Sequence, residues 1–145
     1  MILLQDIEDY FNGRCGADKL IKKVFYFTEE GELGDVKNDI APEHQPFLMV
    51  IVPSFDSEGS LPDRYSENVA FLIYLLEKED SSDKTTFEIQ KELQPIIEAL
   101  KGRIRDDAET CHWLNGLNFG SFHTDPERQK FANFTGWSVS FDVEV

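Results

Sequence analysis

Cysteine is nearly absent: the 145 residues hold two, Cys15 and Cys111. Two thiols make at most one bridge, which excludes the dense disulfide framework of small secreted domains. Both are expected to be reduced and to serve as small buried apolar side chains of an intracellular protein. Long apolar runs are missing too. The longest, such as Val69–Leu76, fall far short of the roughly 20 residues of a membrane helix, so no span is expected. Basic charge is scarce: Lys and Arg number 14 against 28 Asp and Glu, a formal net charge of −14. A chain this acidic repels nucleic acid and anionic lipid, and it lacks the basic footprint of a DNA or RNA reader. The opening Met1-Ile2-Leu3-Leu4-Gln5-Asp6 has no basic stretch and meets acid early, unlike a secretory signal.

Recognisable catalytic signatures are also missing. Neither the P-loop nor the dinucleotide glycine pattern occurs, and no G-x-S-x-G nucleophile elbow does. Cys111-His112 and His123 lack the closely spaced second pair that a zinc site needs, and adjacent side chains seldom form a thiol–imidazole couple. A calcium loop counted from Asp56 places glycine at its fourth position instead of its sixth, and Asn68 where glutamate belongs. No catalytic residue, metal or cofactor is expected.

What is present is enough to fold. Leu, Ile, Val and Phe make up about 30% of the chain, above the roughly 20% below which highly charged chains stay disordered. The length suits one domain with a core of its own. Leu3, Leu4, Ile7, Tyr10 and Phe11 recur at helical spacing, and Asn12-Gly13 is expected to stop that helix. Lys22–Thr28 reads as a strand, as does Phe47–Val52, which Pro53 is expected to end. Val69–Leu76 reads as a strand in preference to a short buried helix. From Thr85 to about Arg105, Ile89, Leu93, Ile96, Ile97, Leu100 and Ile104 form an apolar stripe. Thr85 and Glu88 fit a capping box, and Pro95 is expected to kink or break the helix.

Asn118–His123 is a further candidate strand, and Thr124–Glu127 reads as a turn. Trp137, Val139, Phe141, Val143 and Val145 alternate with polar residues, the pattern of a strand with one core face and one polar face. Together these elements predict a single α+β domain over residues 1–145. Its mixed or antiparallel sheet of four or five strands is packed by an N-terminal helix and one long central helix.

Two acidic loops are expected, at about 29–46 and 53–68, with ten acids and two bases between residues 29 and 67. Loops of that length are uncommon unless functional or mobile. Their candidate acidic residues are Glu29, Glu30, Glu32, Asp35, Asp56 and Glu58. Near the C-terminus, Phe131, Phe134 and Trp137 are candidate interface anchors, because exposed aromatics make good contacts.

The order of elements resembles the tail-terminator and head–tail joining proteins of tailed bacteriophages and prophages. The closing Asn133-Phe134-Thr135-Gly136-Trp137-Ser138-Val139-Ser140-Phe141-Asp142-Val143 is similar to the N-x-x-G-x-x-x-x-F final strand of small phage neck and tail proteins, with Thr124-Asp125-Pro126 shortly before it. The acidic loops and Pro95 depart from that pattern. The resemblance implies a non-enzymatic structural subunit that self-associates into a ring and contacts other tail or neck proteins. It would be found in the bacterial host cytoplasm during assembly and then in the virion. An acidic ring lumen would let DNA slide without sticking. The alternative is an acidic protein-interaction domain, or a DNA-mimic inhibitor that binds a basic partner. A mimic needs carboxylates spaced along one face, whereas the acids here cluster in the expected loops.

Overall fold

Ile7, Phe11 and Cys15 recur every four residues, and all three are buried. They form the inner stripe of α1, Leu4–Asp18. The helix runs past the expected stop at Asn12-Gly13, because Cys15 continues the buried stripe one turn beyond Phe11. A mid-helix glycine costs only about 1 kcal/mol, which that burial outweighs. The computed structural model describes residues 2–18, 20–29, 32, 40–61, 64–79, 84–131 and 133–145.

Five strands follow the apolar and β-branched runs: β1 Lys23–Phe27, β2 Phe47–Leu61, β3 Arg64–Lys78, β4 His123–Lys130 and β5 Phe134–Glu144. They form one sheet in the order β1-β2-β3-β5-β4. β1 runs parallel to β2, and every other pair is antiparallel. With α1 and the long helix α2, Thr86–Asp107, this is the expected α+β fold with a mixed sheet. None of the described helices is long and apolar enough to cross a membrane.

Both sheet faces are apolar. On one, α1 and α2 pack Phe11, Ile89, Ile97 and Ile104 against Leu48, Val50, Phe71, Ile73, Val139 and Phe141. On the other, Phe47, Met49, Tyr74, Leu76 and Phe134 form a second cluster with Phe27 and Ile40. Adjacent residues of β2 therefore feed opposite cores, as a strand buried on both faces requires.

The α2 start is as expected: the Thr85 hydroxyl accepts from the Glu88 N–H at 3.2 Å. Pro95 does not break α2, which is continuous through it. Ile89, Leu93, Ile97, Leu100 and Ile104 hold both halves on one buried stripe.

Other expectations are corrected. The loop expected at about 53–68 is instead the outer half of the β2–β3 hairpin. Pro53 does not end β2. It lies in the irregularity between Ile51 and Ser54, where the β2–β3 register shifts. A residue without an N–H is tolerated at such a bulge. Thr124–Glu127 is not a turn but part of β4, an edge strand, where a proline is also accepted. Within 118–123 the structure has the short 3-10 turn Phe119–Ser121 in place of a strand. Its single turn is held by the Asn118 side chain, which accepts from the Gly120 N–H at 3.1 Å.

Candidate interaction surface

The two ends of the β2–β3 hairpin have different neighbours. Among the described residues, β1 covers β2 from Phe47 to Ile51. β5 covers β3 from Lys78 to Asn68, and Glu67 exchanges two backbone bonds with Val145, at 2.9 and 2.8 Å. Ser54–Ser57 pair with Glu67–Ala70 of β3, and beyond those points Glu58–Leu61 and Arg64–Ser66 pair only with each other among the described residues. They make a two-stranded arm that continues past the sheet. An isolated two-stranded ribbon is marginal in water, so this arm depends on the body for its register and offers open backbone groups on both sides.

The arm is polar and acidic. Ser54, Asp56, Ser57 and Gly59 are exposed, while Phe55 is half-buried against the helix-side core. In sequence, residues 54–67 hold four acids, Asp56, Glu58, Asp63 and Glu67, and one base, Arg64. Gly59 has φ 121°, a conformation that side chains oppose. The register slips again between Glu58 and Leu61, so the ladder is irregular toward the end of the arm.

At the foot of the arm, where β1 ends, Leu4, Ile7, Tyr26, Val50, Val52 and Pro53 line an apolar groove. Leu4 is 55% exposed beside it. Tyr26 ties β1 to α1: its hydroxyl donates to Asn12 Oδ1 at 2.7 Å. Burial, reinforced by Cys15, Glu8 and Asp9, pushes the Tyr26 phenol above its ordinary pKa and keeps it protonated as a donor.

The opposite corner is closed by a polar latch. Thr86 Oγ1 donates to Glu79 Oε1, and Thr135 Oγ1 donates to Glu79 Oε2 at 2.7 Å. The Thr135 hydroxyl also accepts from the Gln129 N–H at 3.0 Å. The Glu79 N–H donates to Asn133 O at 2.7 Å. One carboxylate thus joins the end of β3, the start of α2 and the β4–β5 connection. The hydroxyls of Thr86 and Thr135 hold the Glu79 carboxyl below its usual pKa. Gln129 and Phe131 both have positive φ here, 48° and 54°.

The three aromatic candidates are engaged by the fold. Phe134 is 1% exposed and meets the Phe47 ring edge-on at 5.3 Å, so it belongs to the core and cannot anchor a partner. Trp137 is half-buried, and its indole N–H donates to Gln90 O at 2.9 Å. Phe131 is half-buried against Tyr74, with ring centroids 5.5 Å apart. Of the acidic candidates, Glu29 and Asp56 are exposed and Glu32 is half-buried. Glu30 and Asp35 lie outside the described residues, as does the side chain of Glu58.

His123 is exposed and pairs with Asp125 at 2.9 Å. Among the described residues no three His, Cys, Asp or Glu side chains are placed to hold a metal ion. The hairpin was the feature that sequence reasoning missed. Its signal is Pro62-Asp63, a turn-forming pair midway between two segments of equal length.

No family model, curated protein or solved structure matches this chain.

Proposed function

We propose that this protein is a non-enzymatic structural subunit of a phage or prophage tail, of the tail-terminator or neck type, that self-associates into a ring. The observation that carries this reading is the arm: the outer end of the hairpin, Glu58–Leu61 with Arg64–Ser66, extends beyond β5 and pairs only with itself among the described residues. A chain that folds only for its own stability has little use for such an extension. Edge strands of this kind are templates for pairing with another chain. The aromatic residues near the C-terminus stabilise the body in this reading, and assembly contacts fall to the sheet edges. The resemblance in element order and in the Asn133–Val143 segment supplies the tail context.

A ring needs contacts that close on rotation. Light scattering over a concentration series, with negative-stain imaging of the largest species, tests the proposal. A closed ring with an open centre is expected, alone or on addition of tail-tube ends. A protein that forms no ring under either condition contradicts it.

A further inference from the structure

We infer that the groove between α1 and the turn following α2 takes an arginine side chain presented by a partner protein. This site is separate from the hairpin arm and does not require the tail reading.

The groove follows from how the chain leaves α2. The Cys111 N–H donates to Asp107 O at 2.7 Å, and the Leu114 N–H donates to Cys111 O at 3.1 Å. These bonds carry the chain from the helix end into the short turn His112–Leu114. Leu114 is fully buried and pins that turn to the core. Asp6, Asp9 and Tyr10 of α1 then line one groove with Cys111, His112 and Trp113, with a volume of about 440 Å³. Past Asp6 and Trp113 a second hollow continues beside Asn115 and Glu144.

The wall is aromatic and held in place. The Trp113 ring stacks on Phe71 at 5.5 Å and meets Tyr10 edge-on at 5.3 Å. Tyr10 is fixed in turn, because its hydroxyl donates to Asp107 Oδ2 at 2.8 Å. Both rings are half-buried, so each keeps surface for a ligand. The two tryptophans differ in one respect. The Trp137 indole N–H donates to Gln90 O, whereas that of Trp113 has no hydrogen-bond partner among the described residues. A half-buried indole ordinarily finds an acceptor, and a carbonyl of the bound segment supplies one here.

The rim is acidic. Asp6 and Asp9 are exposed and three residues apart in α1, so their carboxylates stand on one flank of the helix. Asp9 Oδ1 accepts from Gln5 Nε2 at 2.9 Å, and neither acid is in an ion pair among the described residues. Glu144 is exposed at the far hollow. Arg14 is the one base in the sequence of α1, and Asp107 holds it at 2.8 Å.

An aromatic wall beside two carboxylates suits a guanidinium. Its plane stacks on an indole or phenol ring, and its fork of N–H groups matches carboxylates, whereas an ammonium is a compact point charge. The chain itself shows the pairing: Arg14 lies over the Tyr10 ring at 5.9 Å while it binds Asp107. Trp, Tyr and Arg are also the residues that dominate the energy of protein contacts. The net charge of −14 draws a basic partner in from a distance.

Nitrogen–proton NMR of the full chain tests this, because Trp113 and Trp137 give two indole signals that Trp113→Phe assigns. The probe is a capped hexa-arginine peptide. It should shift the Trp113 indole and leave that of Trp137 in place. Asp6→Asn/Asp9→Asn should weaken binding about tenfold. Glu43→Gln/Asp56→Asn removes the same charge from exposed acids elsewhere and should change binding by less than about twofold. A capped hexa-lysine peptide should bind about fivefold more weakly than the arginine peptide. Circular dichroism checks folding, and Asp9→Asn alone serves if the first double variant does not fold. An unmoved Trp113 signal overturns the inference. Equal weakening by the two double variants does so too, as it would mark general attraction to an acidic chain. Lysine binding as tightly as arginine also overturns it. A Trp113 signal that moves with protein concentration alone overturns it in favour of a second copy of this chain.

Discussion

β2 and β3 are each 15 residues long, yet their inner and outer halves have different surroundings. In the inner half, Leu48, Val50, Ile73 and Leu75 pack under the helices while Phe47, Met49, Tyr74 and Leu76 pack on the other face. Strands flank that half on both sides. In the outer half, Ser54–Leu61 of β2 have β3 as their one partner strand among the described residues, and beyond Glu67 β3 pairs only with β2. In the inner half, packing holds the strands. In the outer half the pairing register is inherited from the inner half, and polar residues follow because nothing requires burial. The same hairpin thus has one end built into the core and one end that extends beyond β5.

Glycine substitutions should separate the halves most strongly. A Cβ at Gly136 would come within 2.0 Å of Leu75 O, and one at Gly116 within 1.7 Å of Glu144 O. Neither backbone oxygen can yield without opening the sheet. Gly136→Ala and Gly116→Ala should each cost about 3 kcal/mol or more in denaturant unfolding. Gly59→Ala is strained by its φ of 121°, but the strain falls on the arm. Its effect on global unfolding should stay under about 1 kcal/mol, with the loss read in the amide exchange of residues 54–61. If Gly59→Ala unfolded the whole chain, the arm would have to be part of the body.

Truncation of packed side chains draws the same contrast at smaller size. Ile97 is fully buried between α2 and the sheet, so Ile97→Ala should cost about 2–5 kcal/mol. Half-buried Phe55 has less to lose, and Phe55→Ala should cost about 1 kcal/mol. Thermal or urea midpoints of both variants measure the ratio.

The Glu79 latch belongs to the body, and pH should reveal it. Its folded pKa lies below the ordinary value of 4.5 because the Thr86 and Thr135 hydroxyls stabilise the carboxylate. A depressed carboxylate pKa adds stability that is fully present above the unfolded value and is lost as pH falls through the folded one. The stability difference between wild type and Glu79→Gln should therefore be constant near neutrality and shrink below about pH 4.5. An unchanged difference down to pH 3 would remove the latch from the account.

The smallest expected effects are gains. Gly13 and Gly102 sit inside α1 and α2, and a Cβ at either meets nothing within 4 Å. Gly13→Ala and Gly102→Ala should each stabilise by about 0.5–1 kcal/mol. Neither should alter the arm.

The same contrast explains what the sequence could be made to say. Strand signals were legible at Phe47–Val52, Val69–Leu76 and Trp137–Val145, where burial dictates the residues. The helix cap at Thr85 was legible because it is local chemistry. The outer hairpin was not, since Ser54-Phe55-Asp56-Ser57-Glu58-Gly59 is built of residues that also make loops, and its strand state comes from pairing. Thr124-Asp125-Pro126 misled for the same reason: β4 is held in place by β5, and its own residues favour a turn. The aromatic anchors were read from composition alone, which cannot distinguish Phe134 in the core from an exposed ring.

Amide hydrogen exchange tests the division between body and arm most directly. At low protein concentration, the inward amides of residues 69–76 and 137–143 should exchange only through global opening, while those of 54–61 should exchange orders of magnitude faster. An arm as protected as the body would contradict the account.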